Sequence, residues 1–182
     1  NPGGWGGQGG GNYTLTFNGG YTYVNAAGDG LDSNGSLTVN GGYVFVSQTG
    51  GGNSPIDCDS KWSYNGGVVI AGGSSDMFSE SIPASYNFVN RSASISAGTT
   101  ITAVSGSNVI GTMTFANSAA AIVICTPESS VSVYSGGTLS GTTYFSSSSA
   151  NTNMKAGYGG TISGGTQLSS NSSSGGNNPW GF

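Results

Sequence analysis

Two acidic loops, one repeat apart, hold the side chains of this 182-residue sequence that are best suited to chemistry. The oxygen-bearing residues that would meet at one edge of a stacked repeat are Asp29, Asp32, Asn34, Asp57 and Asp59. Stacked strands lie about 4.8 Å apart, and carboxylates that close repel each other unless a cation lies between them. Ca²⁺ takes about six to eight oxygen ligands of this kind, so the spacing predicts a calcium site. The alternative is that Asp and Asn stand here because both suit turns.

The same carboxylates allow a catalytic interpretation, in which Asp57 is paired with Asp59 or Asp32 as acid and base. A Ser-His-Asp triad is excluded, because the sequence contains no histidine. Elimination on an acidic sugar would need a bound cation and a basic side chain, and Lys61 is the candidate base beside the loop. We therefore expect a protein that is not an enzyme, and a polysaccharide lyase is the third functional alternative.

An internal repeat supplies the elements that position these loops. Its three copies are "LTFNGGYTYV" (15–24), "LTVNGGYVFV" (37–46) and "WSYNGGVVIA" (62–71). Their Asn-Gly-Gly corners begin at residues 18, 40 and 65, and spacings of 22 and 25 residues are typical of one coil of a β-solenoid. We expect glycine to supply the positive φ of each corner and stacked Asn side chains to form an amide ladder. The alternative is three separate hairpins with Asn-Gly turns.

The repeat also predicts columns of equivalent side chains that run from coil to coil. Leu15, Leu37 and Trp62 share one column, and Tyr21 and Tyr43 begin another. Within each strand apolar residues alternate with Thr, Ser or Val, which indicates one apolar face and one mostly polar face.

The composition is that of a Gly-rich all-β protein with little charge. The chain has 35 glycines, 5% charged residues and a net charge of −4, and its few basic residues are not clustered, so we expect no nucleic-acid partner. The apolar runs are too short to span a membrane, so we expect no membrane insertion. Asn-x-Ser/Thr sequons and abundant uncharged polar residues favour an extracellular or cell-surface location. The possible glycosylation sites are Asn12, Asn34, Asn90 and Asn171.

The chain is expected to be organised in four segments. These are a flexible Gly-rich arm (1–12), solenoid repeats (13–77), a C-terminal region of antiparallel β-strands packed on the solenoid (78–163) and a Ser/Gly/Asn-rich tail (164–182). Short connections between the later strands favour antiparallel hairpins over further coils.

Two further sets of residues are candidates for structure or binding. Cys58 and Cys125 lie too far apart for a zinc finger and have no histidine to help them, so we expect a disulfide, with two buried thiols as the alternative. Trp62 and Tyr64, beside Lys61, are candidates for stacking on sugar rings. The alternative for Trp62 is a core or end-cap position, because its column otherwise holds leucine.

The ordered blocks "GDGLDSNGSLTVNGG", "SPIDCDS", "NGGVVIAGGSSDM" and "GTTITAVSGSNVIGTMTFANSAAAIVICTPE" resemble the carbohydrate-binding β-helical proteins of the clostridial cell surface. The resemblance covers roughly residues 13–168. It implies a right-handed parallel β-helix, similar in shape to pectate lyases, that binds cellulose-like or acidic polysaccharides without established catalysis. It also implies bound calcium, with Asp29, Asp32, Asp57 and Asp59 as the matching acids.

Together these observations predict an extracellular, calcium-stabilised β-helix protein that binds polysaccharide. The alternative is a self-assembling subunit of an extracellular filament, a homopolymer built by end-to-end or donated-strand contacts. Open solenoid ends can template another strand, and this sequence has few charges to prevent it.

Overall fold

The computed structural model describes residues 12–145 and 155–171, which are all-β apart from one 3₁₀ helix at Phe78–Ser81. The predicted arm (1–12) lies outside the described residues except for Asn12, and so does the predicted tail from residue 172 onward.

Eight strands build the three predicted repeats. They are β1 Thr14–Phe17, β2 Tyr21–Ala26, β3 Leu31–Ser33, β4 Ser36–Val39, β5 Tyr43–Gln48, β6 Ile56–Cys58, β7 Trp62–Tyr64 and β8 Val68–Gly73. They pair in parallel as β1-β4-β7, β2-β5-β8 and β3-β6. We call the parallel repeats coils: the first contains β1 and β2, the second β3 to β5 and the third β6 to β8. Leu15 pairs with Leu37, which pairs with Trp62, and Tyr21 pairs with Tyr43. The predicted columns are therefore confirmed.

The corners between the first and second strands of the repeats follow the sequence pattern. The second corner glycine has a φ of 82° in every repeat, at Gly20, Gly42 and Gly67. Asn40 Nδ2 donates a hydrogen bond to Asn18 Oδ1 at 2.8 Å, and Asn65 Nδ2 donates to Asn40 Oδ1 at the same distance. Both the glycine corner and the amide ladder are thus confirmed.

The rest of the described chain forms antiparallel strands, as the short connections predicted. They are β9 Phe88–Asn90, β10 Thr100–Ser105, β11 Asn108–Thr114, β12 Ala121–Cys125, β13 Ser132–Ser135, β14 Thr138–Ser140, β15 Thr143–Tyr144, β16 Ala156–Tyr158, β17 Thr161–Ser163 and β18 Thr166–Leu168. Strand β12 pairs with β8 and β9, which extends the second parallel sheet to five strands, β2-β5-β8-β12-β9. A six-stranded sheet, β15-β16-β11-β10-β13-β18, completes the main architecture beside a small β14-β17 pair.

The five-stranded sheet is apolar on both faces, contrary to the alternation expected from the sequence. Val44 and Val46 of β5 face the core inside the coils, whereas Phe45 faces a second core. Strands β8 and β12 alternate in the same way, and the six-stranded sheet supplies Ile101, Met113 and Val133 to the second core. This two-sided burial explains the continuous apolar runs in β8 and β12.

The strand region extends further along the chain than the boundary predicted at residue 163. Strand β18, Thr166–Leu168, pairs with β13, and Asn171 forms a bridge with Asn90. The Asn171 backbone N–H donates to the Val89 carbonyl at 2.8 Å. These backbone hydrogen bonds incorporate residues 166–171 into the sheets despite their Ser-rich composition.

The disulfide predicted between Cys58 and Cys125 is not present, since both residues are free thiols. Cys58 ends β6, whereas Cys125 ends β12 in a different sheet, opposite Val69. Both side chains pack against the core inside the coils, where burial raises the pKa of Cys125 to about 12 and also raises that of Cys58. This arrangement matches the alternative of two buried thiols for Cys125, whereas Cys58 is only half-buried.

Candidate functional site

The two acidic loops lie side by side at one edge of the coils. Strands β3 and β6 are in register, so Asp32 is the partner of Asp57. Asp29 Oδ1 accepts a hydrogen bond from the backbone N–H of Ser54 in the next coil at 2.8 Å. Asp32 and Asp59 are exposed, and Asp57 is half-buried. One carboxylate therefore stabilises the loop of the next coil, and others remain open to solvent.

Glu80, on the 3₁₀ helix, joins this edge, although nothing in the repeat pattern points to it. Burial raises the pKa of Asp57, and the nearby charges of Asp29 and Asp32 raise it further. The pKa of Glu80 is raised as well, by loss of solvent and then by the charge of Asp57 and the hydrogen bond that joins the two carboxyls. The Asp57–Glu80 pair thus favours holding a proton.

The acidic edge places Asp32 beside Asp57, two of the residues expected to bind calcium. Within residues 12–145 and 155–171, no group of three or more His, Cys, Asp or Glu side chains is placed to hold a metal ion. Asp29 is already engaged with the Ser54 backbone, and Asp57 with Glu80. Calcium binding therefore stays a prediction.

The residues predicted to stack on sugars do not form a platform. Trp62 is only 8% exposed, and its Nε1 donates to the Ser81 carbonyl at 3.0 Å, so it is a core residue that covers the end of the coils. Tyr64 packs against the same core, its hydroxyl donates to the Gly67 carbonyl at 2.7 Å, and burial raises its pKa to about 12. Lys61 is exposed, but the ring of its neighbour Trp62 is buried and offers no open face for a sugar.

A different set of aromatic residues reaches the surface, and we name it the tyrosine ledge: Tyr21, Tyr43, Phe145 and Tyr158. The ring centroids of Tyr43 and Tyr158 are 4.9 Å apart with an interplanar angle of 22°. The ring centroid of Tyr21 lies 5.6 Å from that of Tyr43, on which it stacks, and 4.5 Å from that of Phe145. Tyr21 is 59% exposed, so the outer end of the stack is open to solvent.

Two separate parts of the fold position the ledge. The in-register pairing of β2 with β5 places Tyr21 over Tyr43, as the repeat predicted. Phe145 follows β15, and its backbone N–H donates to the Ala156 carbonyl at 2.8 Å, which holds it beside β16 and Tyr158. Phe145 and Tyr158 belong to no repeat, so the sequence did not indicate that these two residues lie near Tyr21.

Tyr21 and Tyr43 keep neutral hydroxyl groups, because the pKa of each is raised. The pKa of Tyr21 is raised, chiefly by a hydrogen bond with Tyr158, and that of Tyr43 is raised by burial and by the nearby Tyr158. On the other face of the β15-β16 pair, Lys155 Nζ lies 4.3 Å from the ring centroid of Tyr144, which is 40% exposed. The ledge itself therefore combines open ring faces with neutral hydroxyls.

The predicted glycosylation sites divide into two pairs. Asn12 and Asn34 are exposed. Asn90 Nδ2 donates to the Ser169 carbonyl at 2.9 Å, and Asn171 Oδ1 accepts from the Arg91 backbone N–H at 2.6 Å. The second pair thus has a structural role in holding residues 169–171 against β9.

Comparison of the chain with protein-family models, curated proteins and solved structures finds no match. None of the helices within the described ranges has the length and apolarity needed to cross a membrane.

Proposed function

We propose that this protein is an extracellular, non-catalytic polysaccharide-binding module that holds its glycan on the tyrosine ledge. The observation that carries the proposal is the open aromatic stack, in which Tyr21 is 59% exposed and flanked by Tyr43, Phe145 and Tyr158. Exposed apolar surface of this kind is typical of interaction sites.

A tyrosine surface matches the two-sided chemistry of a sugar ring. A pyranose offers an apolar C–H face, which packs on an aromatic ring, and a rim of hydroxyls, which exchange hydrogen bonds with phenols. Tyrosine provides both an apolar body and a polar tip, and its rigid side chain loses little entropy on binding. The stacked rings restrain one another further, so the ledge is largely ordered before the ligand arrives.

The scaffold in this proposal is a short right-handed parallel β-helix closed by the C-terminal strands. The three parallel, in-register sheets support this interpretation, and so does the resemblance to the clostridial cell-surface family. Calcium at the acidic edge is a separate part of the proposal. Its role would be to hold neighbouring coils together, because Asp32 and Asp57 lie on paired strands.

The test is retention on insoluble cellulose and on polygalacturonate gels, each with calcium and with EDTA. Tyr21→Ala should lower the affinity for the retained glycan about tenfold, the loss expected for about 1.4 kcal/mol of binding energy. Tyr86→Ala is the matched control, because Tyr86 is an exposed tyrosine outside the ledge. Retention on neither polymer, or equal retention of the Tyr21→Ala variant, would overturn the proposal.

Lys155 allows the two ligand classes to be separated. It is exposed over the Tyr144 ring, on the other face of the β15-β16 pair, where it can attract the carboxylates of an acidic glycan that extends past the ledge. Lys155→Gln should weaken retention on polygalacturonate, with the loss shrinking at high salt, and should leave retention on cellulose unchanged. A glycan-specific effect of this kind would assign acidic polysaccharide as the ligand.

A further inference from the structure

The first coil leaves its outer strand edges unpaired by the described residues. Strand β1 pairs only with β4, and β2 pairs only with β5. The carbonyls of Gly20 and Ala26 accept hydrogen bonds from Tyr43 and Thr49 of the second coil. Because the residues of a parallel strand alternate in direction, the backbone N–H and C=O groups of the odd-numbered residues 21, 23 and 25 point away from β5. This edge of β2 can accept another strand.

The opposite end of the coils is closed. Strand β12 pairs along β8, and β9 pairs along β12. At β6, Ser81 Oγ accepts from the Ile56 N–H at 2.8 Å and donates to the Ile56 carbonyl at 2.9 Å. Strand β7, which has three residues, pairs with β4 alone. Among the described residues it is the one strand of the third coil that keeps a free edge at this end. End-to-end stacking of coils would have to displace β12 and Ser81, so each molecule offers one open end.

The charge of the first coil favours a second copy of the same chain as its occupant. Residues 12–28 contain no Asp, Glu, Lys or Arg, although the whole chain has a net charge of −4. Natural edge strands usually carry charges that prevent association. Two copies can therefore pair along β2 without bringing like charges of that strand together, while Asp29 and Asp32 lie on the β3 side of this end.

We propose that two molecules associate head to head through β2, forming a ten-stranded sheet across a two-fold axis. A two-fold axis at Tyr23 pairs each Tyr21 with Asn25 of the other copy. This register lets every outward-pointing N–H and C=O of residues 21, 23 and 25 find a partner in the same groups of the second chain. The interface is self-complementary and uses the open end of both molecules, so assembly stops at the dimer.

The decisive variant is Asn25→Pro, with Asn25→Ala as its matched control. Both substitutions remove the side-chain contact in which Asn25 Oδ1 accepts from Asn117 Nδ2. Only proline also removes the outward backbone N–H, and proline is tolerated at an exposed strand edge. Sedimentation velocity over a range of concentrations should show a dimer for the native chain and for Asn25→Ala. The dimer dissociation constant should rise at least tenfold for Asn25→Pro, while circular dichroism stays unchanged.

Three results would overturn the proposal. The native chain could remain monomeric up to millimolar concentration. It could grow beyond the dimer into filaments visible by electron microscopy, which would support open-ended assembly. A variant lacking residues 1–11 could dimerise where the full chain does not, which would show that the chain's own N-terminal segment occupies the edge. Tyr21 belongs both to the ledge and to this dimer interface, so glycan retention is measured on Asn25→Pro as well. Retention by this monomeric variant would show that binding at the ledge does not need the dimer.

Discussion

The first and third coils are copies of one pattern, yet they occupy very different surroundings. Tyr21 in the first coil is 59% exposed, whereas Val68, two coils along the same column, is 5% exposed. Leu15 is partly buried, and Trp62 at the equivalent place is 8% exposed. The repeat therefore determines the path of the backbone, and the neighbouring elements determine how much each copy buries. In a stacked structure the end coil packs against a neighbour on one side only.

The corner glycines give the largest expected difference between coils. Gly20 and Gly42 share a φ of 82°, and alanine at either site costs about 1 kcal/mol or more of backbone strain. A Cβ at Gly20 meets nothing within 4 Å, but at Gly42 it would lie 2.5 Å from the Gly19 carbonyl carbon. We expect Gly42→Ala to lower the free energy of unfolding by about 4 kcal/mol, because overpacking adds to the strain. Gly20→Ala should lower the free energy of unfolding, measured with urea, by only about 1 kcal/mol. Equal losses for the two variants would contradict the stacking of the second coil on the first.

The leucine column gives the next largest difference. Leu37 is fully buried between two coils, whereas Leu15 has a coil on one side only. Leu37→Ala should lower the free energy of unfolding by about 3 kcal/mol, and Leu15→Ala should lower it by about 1 kcal/mol. The loss grows with the buried apolar surface that is removed and with the volume of the cavity that remains. The measurement is the urea midpoint of each variant. A Leu15→Ala cost that rises with protein concentration would indicate that a second molecule covers the first coil.

Ser81 tests the closed end directly. Ser81→Ala removes the hydroxyl that accepts from the buried Ile56 N–H, whereas the Ile56 carbonyl keeps a second donor in Ser54 Oγ at 3.0 Å. Leaving the N–H unsatisfied should lower the free energy of unfolding by about 2 kcal/mol. Ser79, exposed on the same 3₁₀ helix, supplies the control, and Ser79→Ala should change stability by less than about 0.5 kcal/mol. A neutral Ser81→Ala would mean that the coil end is satisfied in another way.

The parts of the fold that follow from equal spacing could be predicted from the sequence. Copies of the pattern stack in register, so the Asn18–Asn40–Asn65 ladder and the pairing of Asp32 with Asp57 follow directly. The antiparallel nature of the later strands also follows, because their connections are too short for a parallel crossover.

The parts that depend on non-repeated chain could not be predicted in the same way. Burial of both faces of β5 requires the six-stranded sheet. The spacing of the repeats does not indicate where that sheet lies. The unbroken apolar runs of β8 and β12 are the signal of it in the sequence. Glu80 reaches the acidic edge because a 3₁₀ helix follows the last coil, and Phe145 reaches Tyr21 because β15 pairs with β16. Each of these contacts is set by tertiary packing.

The acidic edge of the third coil gives the smallest expected effect and depends on pH. The folded-state pKa values of Asp57 and Glu80 are raised above their ordinary range. A carboxyl with a raised folded pKa contributes most stability when protonated, so this contribution is complete at low pH and is lost as pH rises through the folded values. Stability should therefore fall as pH rises from the ordinary carboxyl range toward neutrality. The change should stay below about 1 kcal/mol, because Glu80 is exposed and Asp57 is only half-buried, so solvent screens the pair.

Thermal unfolding of Asp57→Asn across pH isolates this pair, because the substitution removes the carboxylate that both shifts involve. The stability of Asp57→Asn should depend less on pH than that of the native chain. Glu128→Gln, which removes an exposed carboxylate elsewhere, should leave the slope of stability against pH as it is in the native chain.

Added calcium extends the same measurement to the metal prediction. An ion shared by Asp32 and Asp57 would favour their ionised forms and reverse the slope, so that calcium stabilises more as pH rises. An unchanged slope in calcium would leave the edge as a proton-holding pair and remove the metal from the proposed function.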